Sequence, residues 1–197
     1  MTHLFHRKKH AQNSRPRRLL FALLPLLALL LPWSSLLPGS ASASVSAQAL
    51  EEDLTFEAYG GKLVTFSADG STVMSEYEDG TLVMVEEGES YTSKDEVALY
   101  IYGFECLPDN FITKNEAKDL GWSSSKGNLD DVAPGMSIGG DRFGNYEGLL
   151  PKEKNRQYYE CDINYEGGYR QAERIIYSND GLVYYTEDHY KSFEQLY

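Results

Sequence analysis

Tyr158-Tyr159-Glu160-Cys161-Asp162-Ile163 is the stretch that decides how this chain folds. In a strand, successive side chains point to opposite faces. Glu160 and Asp162 therefore share one face, and Cys161 and Ile163 share the other. Carboxylates on one side and apolar groups on the other describe a strand of an antiparallel sheet with one face on a core. Arg174 precedes Ile175 in the next strand-like run, so it too can point away from the core. Glu160 and Arg174 could then meet on a solvent-facing sheet surface, the geometry that an active site laid across a sheet needs.

Upstream of this stretch the pattern is helical. From Asp95 to Glu105, Val97, Ala98, Ile101 and Tyr102 fall at spacings that share a helix face, and Leu107-Pro108 ends the run. Thr113 is placed to cap a second helix through Leu120, stopped by Gly121. Asn128 to Val132 suggests one more helical turn before Pro134-Gly135. From Ser137 onward the chain reads as strands with Gly-rich and Tyr-rich breaks. Helices first and an antiparallel sheet afterwards is the α+β order.

Residues 50–94 have a different character. Lys62–Phe66, Thr72–Tyr77 and Thr81–Val85 favour strands, and Asp69-Gly70 and Asp79-Gly80 between them are two-residue turn cues. The expectation is a small three-stranded meander. Three short strands are barely stable alone, so this extension either packs on the rest or is removed as a propeptide. It carries eleven acids and two lysines, net −9.

Residues 1–49 read as a signal peptide and short linker. Arg7, Lys8, Lys9, Arg15, Arg17 and Arg18 precede an apolar run from Leu19 to Trp33, and small-x-small triplets follow at Ala41–Ala43, Val45–Ala47 and Ala47–Ala49. The apolar run is shorter than the ~20 residues of a spanning helix, and Pro25 and Pro32 interrupt it. The expectation is a secreted, extracellular monomer with no membrane attachment after cleavage. The whole chain has 18 basic and 30 acidic residues; without the six leader cations it has 12 against 30, net −18. Such a charge argues against a broad basic face, so any nucleic-acid contact must rest on a few local cations. Cys106 and Cys161 are the only cysteines. Export favours a disulfide between them, the alternative being two separate buried thiols.

Of the four histidines, His3, His6 and His10 lie in the leader, which leaves His189 within Asp188-His189-Tyr190. One histidine cannot build a His-cluster metal site, and no second base is available for a Ser-His pair. A proton donor or acceptor near neutral pH is the remaining chemical role, set against that of an ordinary surface histidine.

Several long motifs carry a family resemblance: LPDNFITKNEAKDLGW (Leu107–Trp122), SKGNLDDVAPGMSIGGDRFGN (Ser125–Asn145), DINYEGGYR (Asp162–Arg170), RIIYS (Arg174–Ser178) and DHY (Asp188–Tyr190). In this order they resemble the secreted bacterial guanyl-preferring ribonucleases of the barnase and binase family. The likeness covers residues 95–197; nothing in 50–94 matches the mature enzymes of that family. It implies an α+β fold with helices packed on an antiparallel sheet, and RNA cleavage with no metal or other cofactor. It also implies roles by position: Glu160 as general base, His189 as general acid, and Lys114, Arg170 and Arg174 as phosphate-binding cations. Phosphoryl transfer independently needs an opposed base and acid and fixed positive charge at the equatorial oxygens. Arginine can clamp a phosphate through two bonds, which lysine cannot. The bland alternative is a Glu160–Arg174 ion pair with His189 as bystander.

Phe143-Gly144-Asn145-Tyr146-Glu147-Gly148 corresponds to the guanine-recognition loop of that family. Bacterial members usually have arginine where Tyr146 stands, whereas the fungal guanyl-specific ribonucleases carry the same Asn-Tyr-Glu-Gly string. Glu147 can accept from guanine N1–H and its exocyclic amine, backbone N–H groups near Asn145 can donate to O6, and Tyr146 can stack on the base. Tyr190 joins Phe143, Gly144, Asn145, Tyr146 and Glu147 as an expected substrate-binding residue. The substitution at Tyr146 should weaken binding to barstar-like acidic inhibitors, which engage the loop arginine. Two other functions compete with an endoribonuclease: a non-catalytic RNA- or nucleotide-binding module, and an antibacterial toxin on the same fold. The acidic extension is either a self-masking segment over Lys114, Arg170 and Arg174 or a meander covering a sheet or helix face.

Overall fold

The computed structural model describes residues 53–197; the leader expected at 1–49 lies outside the described residues. Ten strands and three α-helices follow one another as β1 (Leu54–Glu57), β2 (Leu63–Phe66), β3 (Thr72–Glu76), β4 (Leu82–Glu86), α1 (Lys94–Phe104), β5 (Phe111–Ile112), α2 (Lys114–Asp119), α3 (Leu129–Val132), β6 (Ser137–Phe143), β7 (Tyr158–Asp162), β8 (Arg174–Ser178), β9 (Val183–Thr186) and β10 (Glu194–Gln195). They form a four-stranded meander in the order β1-β2-β3-β4 and a six-stranded sheet in the order β10-β9-β8-β7-β6-β5. The architecture is the expected α+β arrangement with an N-terminal meander. Neighbours in the larger sheet run antiparallel, except that β5 pairs with β6 in parallel at Phe111–Ser137 and Ile112–Ile138. Among the described residues no helix is long and apolar enough to cross a membrane.

The meander has four strands rather than three. Its first, β1, pairs with β2 through Leu54–Phe66 and Phe56–Val64. No Asp-Gly announces the link; Gly60 and Gly61, at φ 73° and 74°, turn the chain instead. The two Asp-Gly pairs do lie in the other links, but in wider loops than two residues. Gly70 N–H donates to Ser67 O at 2.8 Å, and Gly80 N–H donates to Tyr77 O at 2.9 Å. Asp69 Oδ1 also accepts from Ser71 N–H at 2.9 Å, and Asp79 Oδ1 accepts from Thr81 N–H at 2.9 Å. The aspartates brace their loops through their side chains.

Helix α1 starts at Ser93, whose hydroxyl accepts from Glu96 N–H at 3.4 Å and donates to Glu96 Oε2 at 2.6 Å. It ends at Glu105, left-handed at φ 55°, whose N–H reaches Ile101 O. Val97, Ala98, Leu99, Tyr100 and Ile101 are all buried, so α1 has no solvent face over this stretch. A helix buried all round must be covered on two sides. Val64, Val73 and Val85 of the meander cover one side, and Cys161, Ile175 and Val183 of the larger sheet cover the other, in one apolar cluster. The layers are thus meander, α1 and larger sheet. Glu160, Asp162 and Arg174 lie on the sheet face turned away from α1, since Glu160 pairs with Ile176 and Asp162 with Arg174.

Of the two readings of the extension, the layering fits a meander covering a helix face, and the expected disulfide is corrected. The meander packs behind α1, so its carboxylates do not lie over Lys114, Arg170 and Arg174. Cys106 and Cys161 are free thiols, not a disulfide. Both belong to the apolar cluster around α1, where they fill space as small hydrophobic groups. Burial pushes both thiols above their ordinary range.

Candidate active site

Five elements meet on the open face of the larger sheet. Helix α2 supplies Lys114 at its first position. Its start is set by a capping box: Thr113 accepts from Glu116 N–H at 3.2 Å, and the Glu116 carboxylate accepts from Thr113 N–H at 2.8 Å. Lys114 N–H donates to Asp141 Oδ2 on β6 at 2.9 Å, which ties α2 to the sheet. From there the Lys114 ammonium donates to Glu160 Oε1 on β7. Glu160 Oε2 accepts from the Tyr190 hydroxyl at 2.5 Å.

Glu160 is only 7% exposed. Burial pushes its carboxyl up, but hydrogen bonds from Lys114 and Tyr190 and the charges of Lys114 and Arg170 outweigh it, and the net displacement is downward. The carboxylate is therefore held ionised, and each oxygen keeps lone-pair capacity for a further donor. The same contacts act on Tyr190: burial first, then Glu160, push its hydroxyl well above the ordinary phenol range.

Arg170 and Arg174 are organised by Asp162. Arg170 grips it through Nε–Oδ2 and Nη2–Oδ1, both 2.6 Å, and Arg174 Nε lies 2.8 Å from Oδ1. Burial alone would pull the Arg170 guanidinium down, but the Asp162 bonds push it up overall. The Glu160–Arg174 ion pair of the bland alternative does not form; Asp162 takes the arginine and Lys114 takes the glutamate. The signal for Asp162 was present, because period two puts it on the face of Glu160, yet a motif reading gives it no task.

His189 stands exposed in the turn after β9 and borders two hollows of about 370 and 660 Å³. Both fall within the ~300–1,000 Å³ usual for small-ligand sites. The smaller is walled by Trp122, Gly127, Tyr169, Arg170 and Arg174 beside His189. Tyr169 is fixed there by its hydroxyl, which donates to Ser125 O at 3.2 Å. The larger is walled by Phe143, Gly144, Tyr146, Glu147 and Tyr190 beside His189. Its aromatic side is a contiguous set: the Phe143 ring lies 5.3 Å from Tyr190, and Tyr190 lies 4.7 Å from His189.

The loop residues divide by task. Tyr146 is 91% exposed, and its ring covers Gly144 so closely that a Cβ there would sit 2.2 Å from it. Asn145 is buried at φ 43°, and its side chain clasps Leu150 through Nδ2–O at 2.9 Å and N–Oδ1 at 3.1 Å. That side chain shapes the loop and does not border the hollow. The expected site residues Lys114, Glu160, Arg170, Arg174, His189 and Tyr190 are thus brought together, with Phe143, Gly144, Tyr146 and Glu147 around the adjoining hollow. Chemically, three cations, an ionised carboxylate and an imidazole suit an anionic substrate that exchanges protons, with room on either side for flat groups.

A family model described as ribonuclease matches residues 94–197. A ribonuclease of Heyndrickxia coagulans is 54% identical over 102 residues, covering 52% of this chain and 94% of that protein. A ribonuclease of Bacillus intermedius is 54% identical over 102 residues, 63% of its length. Guanyl-specific ribonuclease St of Saccharopolyspora erythraea is 40% identical over 55 residues, which are 27% of this chain and 54% of that protein. The chain belongs to the ribonuclease family, and RNA is the substrate that membership implies.

Proposed function

We propose that residues 94–197 form a secreted, metal-independent endoribonuclease that cleaves single-stranded RNA after guanine. The observation that carries this reading is the position of His189 between the two hollows, with Glu160 hydrogen-bonded to the neighbouring Tyr190. The guanine base enters the larger hollow. Glu147 accepts from its N1–H and amine, backbone N–H groups near Asn145 donate to O6, and Tyr146 stacks on the ring, worth ~1–3 kcal/mol. The scissile phosphate lies by Lys114, Arg170 and Arg174, and the downstream nucleoside takes the smaller hollow.

Glu160 takes the proton of the ribose 2′-OH, and that oxygen attacks phosphorus. The bond from phosphorus to the 5′ oxygen breaks, and protonated His189 gives its proton to the departing oxygen. The products are a 2′,3′-cyclic phosphate and a free 5′-hydroxyl. In the second step, water attacks the cyclic phosphate with the roles reversed. The arginines and lysine hold the charge that grows on the equatorial oxygens. Proton transfer by each of the two groups is worth ~10²–10⁴-fold.

The test is incubation of residues 53–197 with short RNAs in EDTA. Cleavage after guanine is expected, with Glu160→Ala and His189→Ala each reduced by about 10²-fold or more. RNA left uncut, or cut equally by either variant, rejects the reading.

A further inference from the structure

The turn that presents His189 and Tyr190 holds two consecutive non-glycine residues in the left-handed region. His189 has φ 59° and Tyr190 φ 72°, the one consecutive left-handed pair of non-glycine residues among those described. Histidine tolerates this region better than most residues, but a tyrosine adopts it only where the surroundings impose it, and here the two follow one another. What imposes it is Asp188. Its Oδ1 accepts from Thr186 Oγ1 at 2.9 Å, from Lys191 N–H at 3.0 Å and from Ser192 N–H at 3.0 Å. Its Oδ2 accepts from Ser192 Oγ at 2.7 Å. Thr186 Oγ1, itself bound to Asp188, accepts from Tyr190 N–H at 3.0 Å. The carboxylate thus closes a ring around the two strained residues, from the buried end of β9 to Ser192.

From this geometry we infer that Asp188 is a positioning residue for the proton-transfer pair, acting on His189 and Tyr190 together through the turn it holds. The inference rests on the catalytic reading of His189 and Glu160 and extends it. The turn sets where the imidazole stands between the hollows, and it also sets the Tyr190 hydroxyl against Glu160 Oε2. One side chain therefore controls the placement of the acid and one contact of the base. The cations have their own anchor: Asp162 on β7 pairs with Arg170 and Arg174, although Tyr190 also faces Arg174. The hydrogen bonds from Ser192 keep the Asp188 carboxyl down at about 2, so the clamp stays ionised across the working range of pH.

The separation between turn and cation cluster gives the test. In Asp188→Ala, kcat on a guanine-containing dinucleotide falls by at least about tenfold, a part of the ~10²–10⁴ that an acid supplies. Inhibition by inorganic phosphate stays within about threefold, because Lys114, Arg170 and Arg174 are undisturbed. Asp188→Asn restores kcat to within about threefold, since the amide oxygen keeps the three Oδ1 bonds and the amine can donate to Ser192 Oγ. His189→Ala is run beside them. Full rate in Asp188→Ala where His189→Ala has lost about 10²-fold or more overturns this inference alone, and an undiminished rate in His189→Ala removes the catalytic reading and this inference with it. Loss of phosphate inhibition in step with kcat, or an Asn variant as slow as the Ala variant, also overturns it. If Asp188→Ala does not fold, Thr186→Val with Thr186→Ser as its rescue reads the same clamp, and full rate in the valine variant overturns it.

Discussion

Glu160 is held between burial, which favours its neutral form, and Lys114, Tyr190 and Arg170, which favour the anion and prevail. A base must be ionised to act, so the acid limb of kcat/KM should lie below the ordinary glutamate value of 4.5. In Lys114→Ala burial loses its main opponent, and the limb should move to higher pH; a limb that stays in place would remove Lys114 as the cause. The sign for stability follows the same direction. A carboxyl lowered on folding contributes above its unfolded value, and that contribution is lost as pH falls through the folded value. Tyr146 allows a second residue-level prediction. With 91% of its surface exposed, it has little to lose in the free protein, so Tyr146→Ala should raise KM for guanine-containing RNA by about tenfold with little loss of stability. Tyr146→Arg should tighten binding of a barstar-like acidic inhibitor, read by titration against the parent. Lys114, Arg170, Arg174 and His189 stand out in the sequence because each sits in a motif that resembles the family's, and Glu160 because strand alternation turns it away from the core. Asp162 and Asp188 act on other side chains and not on substrate, and a motif carries no mark of that.

Helix α1 is where local pattern and tertiary structure part company. Its spacing predicts one apolar face at Val97, Ala98, Ile101 and Tyr102, yet Leu99 and Tyr100 are buried too because the meander covers the back of the helix. Periodicity finds the face that meets a partner, but it cannot count partners. Gly103 marks the closeness of the second contact: a Cβ there would lie 2.6 Å from Val73 Cγ2. Gly103→Ala should lower stability by ~1–3 kcal/mol through overpacking, despite the better helix propensity of alanine. Thermal unfolding of Gly103→Ala, Val73→Ala and the double variant tests the contact. The double should be less damaged than the sum, with a coupling of ~0.5–3 kcal/mol, and strict additivity would place the clash elsewhere. The helix starts and stops were legible because caps are local chemistry, as Ser93 and Thr113 both show. Strand β1 was not legible, because the Gly60-Gly61 link lacks the Asp-Gly signature and β1 has no buried side to give an alternating pattern.

At the scale of the molecule, an enzyme for a polyanion is itself an anion, net −18 without the six cations of residues 1–18, of which residues 50–94 carry −9. The layering sets how these charges act. The meander lies behind α1, across the larger sheet from Glu160 and Arg174, so its carboxylates reach bound RNA only as a long-range field. Fields of that range are screened once the Debye length falls to ~10 Å, near 0.1 M salt. The cations at the site act at contact distance and are screened far less. Neutralising the meander through Glu76→Gln, Glu78→Gln and Asp79→Asn should therefore raise kcat/KM for long RNA at low salt by speeding association. The gain should fade above about 0.1 M and be small for a dinucleotide, which carries too little charge to feel the far side of the molecule. Activity of the parent and the triple variant across a salt series, on long and short substrates, separates this from masking of the site. A masking segment would inhibit both substrates alike, and its removal would raise rate even in high salt.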